Sequence, residues 1–128
     1  MKRVVMLIAA CFVALLFNMI LTRTASARPE YKARLDEATK NSKAADAIKE
    51  QKCNVCHYGK SKKNRNEFGK AVNKGITEEN FKSMKEDKEK LTKKIDEALK
   101  AAMKEKSSGG KTFGELIEAG QLPAKNPE

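Results

Sequence analysis

The sequence predicts an all-α fold built as one small helical domain. Two observations support this prediction: no segment alternates apolar and polar residues as a half-buried strand does, and apolar residues recur at helical spacing. The clearest recurrence predicts a helix from about Glu86 to Lys106. Its apolar stripe occupies positions i, i+4, i+7, i+8, i+11 and i+12 along the chain: Leu91, Ile95, Ala98, Leu99, Ala102 and Met103.

The segments before this helix divide the N-terminal half of the chain. Residues 28–41 are polar, and we expect them to form an arm outside the domain, either as a frayed helix or as a spacer. The domain itself is expected over residues 42–122, and its first helix is predicted from Ser42 to about His57. That helix is expected to end near Gly59, before a loop rich in lysine.

The second predicted helix covers residues 66–73. Phe68 and Val72 are spaced i and i+4 on one of its sides, and Gly75 lies just past its end, where glycine often terminates a helix. Thr77 is then expected to cap a short helical turn, because a threonine side chain can accept a hydrogen bond from a free backbone N–H of the first turn.

Helix breakers and a capping motif predict the C-terminal elements. The run Ser107-Ser108-Gly109-Gly110 ends the long helix. Thr112 and Glu115 have the spacing of a capping box, in which each side chain bonds the other residue's backbone N–H. They predict a short last helix that closes at Gly120, and residues 123–128 are expected to be a flexible tail.

Residues 1–27 have the layout of a secretory signal peptide. Basic residues stand at the start, and an apolar run of 18 residues, counting Asn18, extends from Val4 to Leu21. Ala25-Ser26-Ala27 then has the small residues of a cleavage site. An uncleaved run of this length would also serve as a membrane anchor. We therefore expect an extracytoplasmic protein, periplasmic in a bacterium, that contacts a membrane only if this segment is retained.

The stretch Cys53-Asn54-Val55-Cys56-His57 indicates a particular chemistry. C-x-x-C-H is the arrangement through which haem is attached covalently to protein. On a helical turn its three functional side chains stand at i, i+3 and i+4 and share one face. We expect one haem c, with Cys53 and Cys56 forming the thioethers and His57 binding the iron on the proximal side.

Three other interpretations of these residues remain open. A structural zinc site takes four Cys or His ligands, and after residue 27 the chain offers only Cys53, Cys56 and His57, so a carboxylate would have to complete the shell. A thioredoxin-like redox pair is favoured mainly beside a strand–helix–strand pattern, which the sequence lacks. A disulfide between the two cysteines would close a very short loop and add little stability.

With this motif in an exported helical chain of small size, the sequence resembles the small monohaem c-type cytochromes. The resemblance implies a cytochrome c-like helical domain wrapped around one covalent haem. It also implies that this haem is attached after export. The chain departs from the family in having no proline shortly after the motif, since its prolines are Pro29, Pro123 and Pro127.

The sixth iron ligand is the least defined part of the predicted site. Met103 follows His57 by 46 residues and precedes the last helix, an order that resembles the smaller bacterial cytochromes. Met84 is the alternative, because it lies near a predicted break between helices. Either methionine can instead fill space in the core, as methionine often does. A lysine, a water molecule or an empty position would then complete the site.

We expect an electron carrier rather than an enzyme, with iron cycling between its ferrous and ferric states. The chain has one histidine, and we assign it to the iron, so no other imidazole is present to act as a base in hydrolysis. A gas-binding or sensing haem module with an open distal site is one alternative. A haem subunit of a larger oxidoreductase is another.

The net charge of the chain indicates which kinds of partner it would attract. Residues 1–27 hold three basic and no acidic side chains, so residues 28–128 have a formal charge of +7. The excess follows the motif, at Lys60, Lys62, Lys63 and Arg65, and predicts acidic redox partner proteins, although an ordinary solvated loop would look the same. Nucleic acid is not expected, because the chain has no Trp and few aromatic residues for stacking on bases.

Overall fold

The computed structural model describes residues 28–127, and the prediction of an all-α fold is confirmed for them. The elements follow in chain order as α1 (Pro29–Thr39), α2 (Ala45–Gln51), a 3₁₀ turn (Lys52–Val55), α3 (Glu67–Gly75), α4 (Glu78–Met84), α5 (Lys88–Lys104) and α6 (Phe113–Glu118). This range contains no strand, only isolated β-bridges between His57 and Arg65 and between Lys106 and Thr112. The predicted signal segment, residues 1–27, lies outside the described residues.

Helix α5 forms the centre of the fold, with α3, α1, α6 and α4 packed against it. Its predicted apolar stripe is confirmed, because Leu91, Ile95 and Leu99 are buried together with two alanines. Phe68 of α3 meets Phe113 of α6 edge to face, with ring centroids 5.4 Å apart. None of the helices within residues 28–127 is long and apolar enough to cross a membrane.

Residues 28–41 differ from the expected arm, because α1 is packed into the core. Leu35 is only 3% exposed, and Tyr31, one turn earlier, lies against the ring of Phe81 with centroids 5.7 Å apart. Arg34 holds the helix to α5 through two hydrogen bonds to the carboxylate of Asp96, at 2.6 and 2.7 Å. One apolar residue per turn suffices to pack one side of this helix against the core, although its overall composition is polar.

The predicted caps are confirmed where they were proposed. Thr77 accepts a hydrogen bond from the N–H of Asn80 at the start of α4. Thr112 and Glu115 form the complete capping box of α6. Gly75 has a different role from the predicted one, because it is the last residue of α3 and not the residue after it. A Cβ at this position would lie 2.7 Å from the Cβ of Ala98, so glycine allows α3 to approach α5 closely.

The C-terminal segment also differs from the flexible tail that was expected. Pro123 is among the most completely buried side chains. Three residues later, Asn126 is hydrogen-bonded to the side chain of Asn66 and to the backbone of Asn54. These contacts join the segment to the loop that contains the cysteines, a long-range arrangement for which the local sequence provides no pattern.

Candidate functional site

The Cys53–His57 stretch forms a helical turn, as predicted, but it does not continue α2. The N–H groups of Cys56 and His57 both donate to the carbonyl oxygen of Cys53, at 3.3 and 3.1 Å. Helix α2 ends at Gln51, and Lys52, the first residue of the 3₁₀ turn, has φ 51° and ψ −123°, which redirects the chain ahead of Cys53. The single helix predicted from Ser42 to His57 is therefore two elements with a sharp change of direction between them.

The ring of His57 is oriented by a main-chain oxygen. Its Nδ1 lies 3.1 Å from the carbonyl oxygen of Asn64. A ring nitrogen that faces a carbonyl must carry the proton in order to bond it, so Nε2 keeps the free lone pair. Histidines that bind metals usually have their second nitrogen held in this way, which selects the tautomer and the ring orientation. Sequence reasoning missed Asn64, because a contact to a backbone oxygen leaves no trace in residue type.

The electrostatic surroundings keep His57 neutral. Burial lowers the pKa of His57 below its ordinary value, the hydrogen bond to the Asn64 carbonyl opposes that shift, and the positive charge of Arg65 adds to it. The neutral imidazole is the form that binds a metal ion. The local environment therefore favours the state that a haem iron requires.

The two cysteines are free thiols in different surroundings. Cys53 is exposed, whereas Cys56 is half-buried. Burial raises the pKa of Cys56 to about 12, so its thiol stays protonated at neutral pH. A C-x-x-C redox pair needs only one accessible thiolate, so the protonated Cys56 does not by itself decide against that chemistry. The thioredoxin-like interpretation lacks the strand–helix–strand context that would favour it, because residues 28–127 contain no strand.

Zinc and covalent haem require different arrangements of these three residues. Within residues 28–127, no three His, Cys, Asp or Glu side chains are grouped so that they could hold one metal ion. A zinc site needs its ligands to converge on a single point. A covalent haem needs sulfurs at the porphyrin edge and an imidazole at its centre, so its three protein groups do not have to converge. The donor set of Cys53, Cys56 and His57 fits that group.

Asn66 joins the turn to α3. Its side chain is buried and caps the helix by accepting from the N–H of Gly69 at 3.0 Å. Its own N–H donates to the carbonyl of Cys56 at 3.0 Å. A Cβ on Gly69 would lie 2.1 Å from that carbonyl oxygen, so only glycine lets α3 pack this closely on the motif. An Asn before a helix is a recognisable cap, but its bond to Cys56 was not predicted.

The two methionines proposed as sixth ligand both pack with the hydrophobic core. Met84 is 8% exposed at the end of α4. Met103 lies near the end of α5, half-buried at the margin of the core. Both positions agree with the alternative role for these methionines, in which they fill space in the core. The sixth ligand stays a prediction.

A group of cations lies beside the turn. Lys60, Lys62 and Lys63 are exposed, and none of them forms an ion pair with a carboxylate in the part of the chain that is described. Lys62 donates to the side-chain oxygen of Asn54 at 3.2 Å, which holds its charge against the motif. The predicted basic loop is therefore next to the cysteines in space as well as in sequence. We call these three residues the lysine cluster.

Comparisons with protein-family models, with curated proteins and with solved structures found no match. Any function assigned to this chain therefore depends on the residues of the turn and on the contacts that orient them.

Proposed function

We propose that the protein is an exported monohaem c-type cytochrome that transfers electrons. The observation that supports this most directly is the bond between His57 and the Asn64 carbonyl, which leaves Nε2 free in a turn that also presents two free thiols. Cys53 and Cys56 would hold one haem through thioethers, and His57 would bind its iron. A cytochrome c-like arrangement of the helices around that haem is part of the same proposal.

A bound haem supplies an iron that accepts and releases one electron. The chain's own residues have three tasks around it. The carbonyl of Asn64 polarises the imidazole, which makes Nε2 of His57 a more basic ligand for the iron. The turn fixes the spacing between the two sulfurs and the ring. The lysine cluster orients acidic redox partners during approach, an effect on association rate that salt weakens over about 10 Å at 0.1 M.

Covalent attachment tests the proposal. The full chain would be produced in a host that exports proteins and assembles c-type cytochromes, and its mass and absorption spectrum would be measured after acid extraction of loosely held haem. We expect a coloured protein whose mass exceeds that of the polypeptide by one haem. Replacing both Cys53 and Cys56 by Ala should abolish the gain in mass, whereas Cys11→Ala, before the predicted cleavage site, should not. A colourless wild type with the mass of bare polypeptide would refute the proposal.

A gas-binding haem module is the second candidate function. It is favoured by the packing of Met84 and Met103 with the core, which leaves the distal side of a haem without an assigned ligand. Absorption spectra of the ferrous protein with and without carbon monoxide separate the two candidates. An electron carrier with a filled sixth position should show no rapid Soret shift. A shift within the mixing time would favour gas binding instead.

A further inference from the structure

We propose that the side chains of Asn66 and Asn126 form an amide clip that positions the Cys53–His57 turn for the haem. This inference rests on the proposed function and adds two positioning residues to it. Neither residue lies in the C-x-x-C-H motif. Asn126 belongs to the C-terminal segment, 72 residues after the Asn54 carbonyl that it bonds.

The clip bonds the two residues between the cysteines. The Asn126 Nδ2 donates to the carbonyl oxygen of Asn54 at 3.1 Å. The Asn66 Nδ2 donates to the carbonyl oxygen of Val55 at 2.9 Å and also to the Oδ1 of Asn126 at 2.9 Å. The two amide side chains therefore hold each other and the turn together.

These bonds complete the hydrogen bonding of the turn. The Cys53 carbonyl accepts from within the turn, and the Cys56 carbonyl accepts from the Asn66 backbone. The Asn54 and Val55 carbonyls between them accept from the clip. All four carbonyl oxygens from Cys53 to Cys56 are thus engaged, and two of the four depend on side chains from outside the motif.

The direction of each bond requires amides. The side-chain amide of Asn66 donates both N–H bonds of its Nδ2, and its Oδ1 accepts from the N–H of Gly69. Asn126 accepts from Asn66 and donates to Asn54. An aspartate at position 126 could still accept from Asn66, but it would turn a charged oxygen toward the Asn54 carbonyl. Only a side chain with a donor and an acceptor at one end satisfies both neighbours.

A rigid porphyrin makes the shape of this turn important. The two cysteine sulfurs must reach the two vinyl groups of the porphyrin, and the imidazole nitrogen must reach its iron. The distances between these three positions are fixed by the macrocycle. The internal bonds of the turn hold its ends, whereas the backbone between Cys53 and Cys56 is held from outside by the clip. Without the clip the turn can sample other shapes, so we expect the haem to be seated less uniformly although the helices remain folded.

The test uses the haem-loaded full chain with Asn126→Ala, and Lys125→Ala, its exposed neighbour, as the matched control. We expect Asn126→Ala to weaken the circular dichroism of the Soret band while far-ultraviolet dichroism stays unchanged. Hydrogen exchange of peptides that contain residues 53–57 should rise about tenfold, the change expected when one or two hydrogen bonds are lost. Lys125→Ala should change neither signal.

A second variant protects the test against a general loss of folding. Asn126→Asp keeps the size of the side chain and its bond from Asn66, and we expect it to show the same Soret and exchange changes because it cannot donate to Asn54. If both variants match the wild type in Soret dichroism and exchange, the clip is refuted while the haem assignment stands. If the wild type itself holds no haem, the proposed function has failed first.

Discussion

At the candidate site, His57 is oriented by a main-chain oxygen, and Lys52, directly before the motif, has an unusual backbone conformation. Lys52 has φ 51°, the only positive φ outside glycine among the described residues. This conformation places the motif turn at an angle to α2. Residues other than glycine adopt it at a cost of about 1–3 kcal/mol. The start of the candidate site is therefore a strained point of the chain.

Replacing Lys52 by Gly should stabilise the protein. Glycine adopts this φ and ψ without a Cβ clash, although it loses about 0.5–1 kcal/mol through the greater freedom of the unfolded chain. We expect a net gain of about 1 kcal/mol in the free energy of unfolding, measured by chemical denaturation. Lys52→Ala removes the same charge and keeps the strain, so it should bring no gain. Equal stability of the Gly and Ala variants would show that position 52 is not strained.

The helices are held together by close approach as well as by apolar burial. Gly75 of α3 lies against Ala98 of α5, where a Cβ on Gly75 would be 2.8 Å from the Cα of Ala98. Helix propensity and packing make opposite demands at this residue. Propensity favours alanine in a helix, whereas packing excludes it.

Gly75→Ala should therefore destabilise the protein despite improving helix propensity. We expect a loss of about 1–3 kcal/mol, as is usual when a well-packed contact is overfilled. Thermal or chemical unfolding would measure it. The control is Gly109→Ala in the loop after α5, where an added Cβ would meet only the Oγ of Ser107 at 3.7 Å. A stabilised Gly75→Ala variant would mean that α3 and α5 are not in contact here.

The capping box of α6 predicts a specific pH dependence. The backbone N–H and the hydroxyl of Thr112 both bond the Glu115 carboxylate and hold the pKa of Glu115 below its ordinary value. A lowered folded-state pKa means that Glu115 stabilises the fold fully above its unfolded-state pKa. That contribution is lost as pH falls through the lower, folded-state value.

Glu115→Gln should lower the melting temperature relative to the wild type at pH 7. In acid, where Glu115 of the wild type becomes protonated, this difference should disappear. Glutamine can still serve in a capping box, so the difference from wild type isolates the charge. Melting temperatures from circular dichroism, taken from neutral pH down to about pH 3, would follow it. Glu118→Gln, on the exposed side of the same helix, is the control and should not reproduce the pH dependence. A difference that stays constant with pH would contradict the prediction.

Across the whole molecule, charge is distributed unevenly relative to the candidate site. The lysine cluster lies beside Asn54 of the motif, whereas much of the remaining positive charge lies on helices whose lysines alternate with acidic residues. Exposed charges of one sign near a reacting centre raise the encounter rate with ions of the opposite sign. The arrangement therefore suits an anionic partner that approaches over the Gly59–Asn64 loop.

Reversing the lysine cluster should slow electron transfer to an anionic oxidant. For the haem-loaded protein with Lys60, Lys62 and Lys63 changed to Glu, we expect oxidation by ferricyanide to be about tenfold slower at low salt, with the difference shrinking as ionic strength rises. Stopped-flow absorbance would measure the rate. The matched control changes Lys88, Lys93 and Lys100 of α5 to Glu, with the same change in net charge. Equal slowing in both triple variants would show that only net charge acts.

The elements that were predicted well have their causes within a turn or two of sequence. The stripe of α5 and the caps at Thr77 and Thr112 depend on residues three or four positions apart, where helix geometry sets the contacts. The C-x-x-C-H turn belongs to the same class, since its bonds join Cys53 to Cys56 and His57. Such patterns are visible in the sequence because the interacting residues are also neighbours along the chain.

The features that were missed depend on residues far apart in sequence. Nothing local shows that Leu35 fits against α5, that Gly75 meets Ala98, or that Asn126 returns to Asn54. The amino-acid order was sufficient for the stripe of α5, for the caps of α4 and α6 and for the turn of the motif, because these follow from short-range spacing. Packing of α1, the orientation of His57 and the closure of the C-terminal segment over the motif required the folded chain, because each depends on which distant surfaces meet.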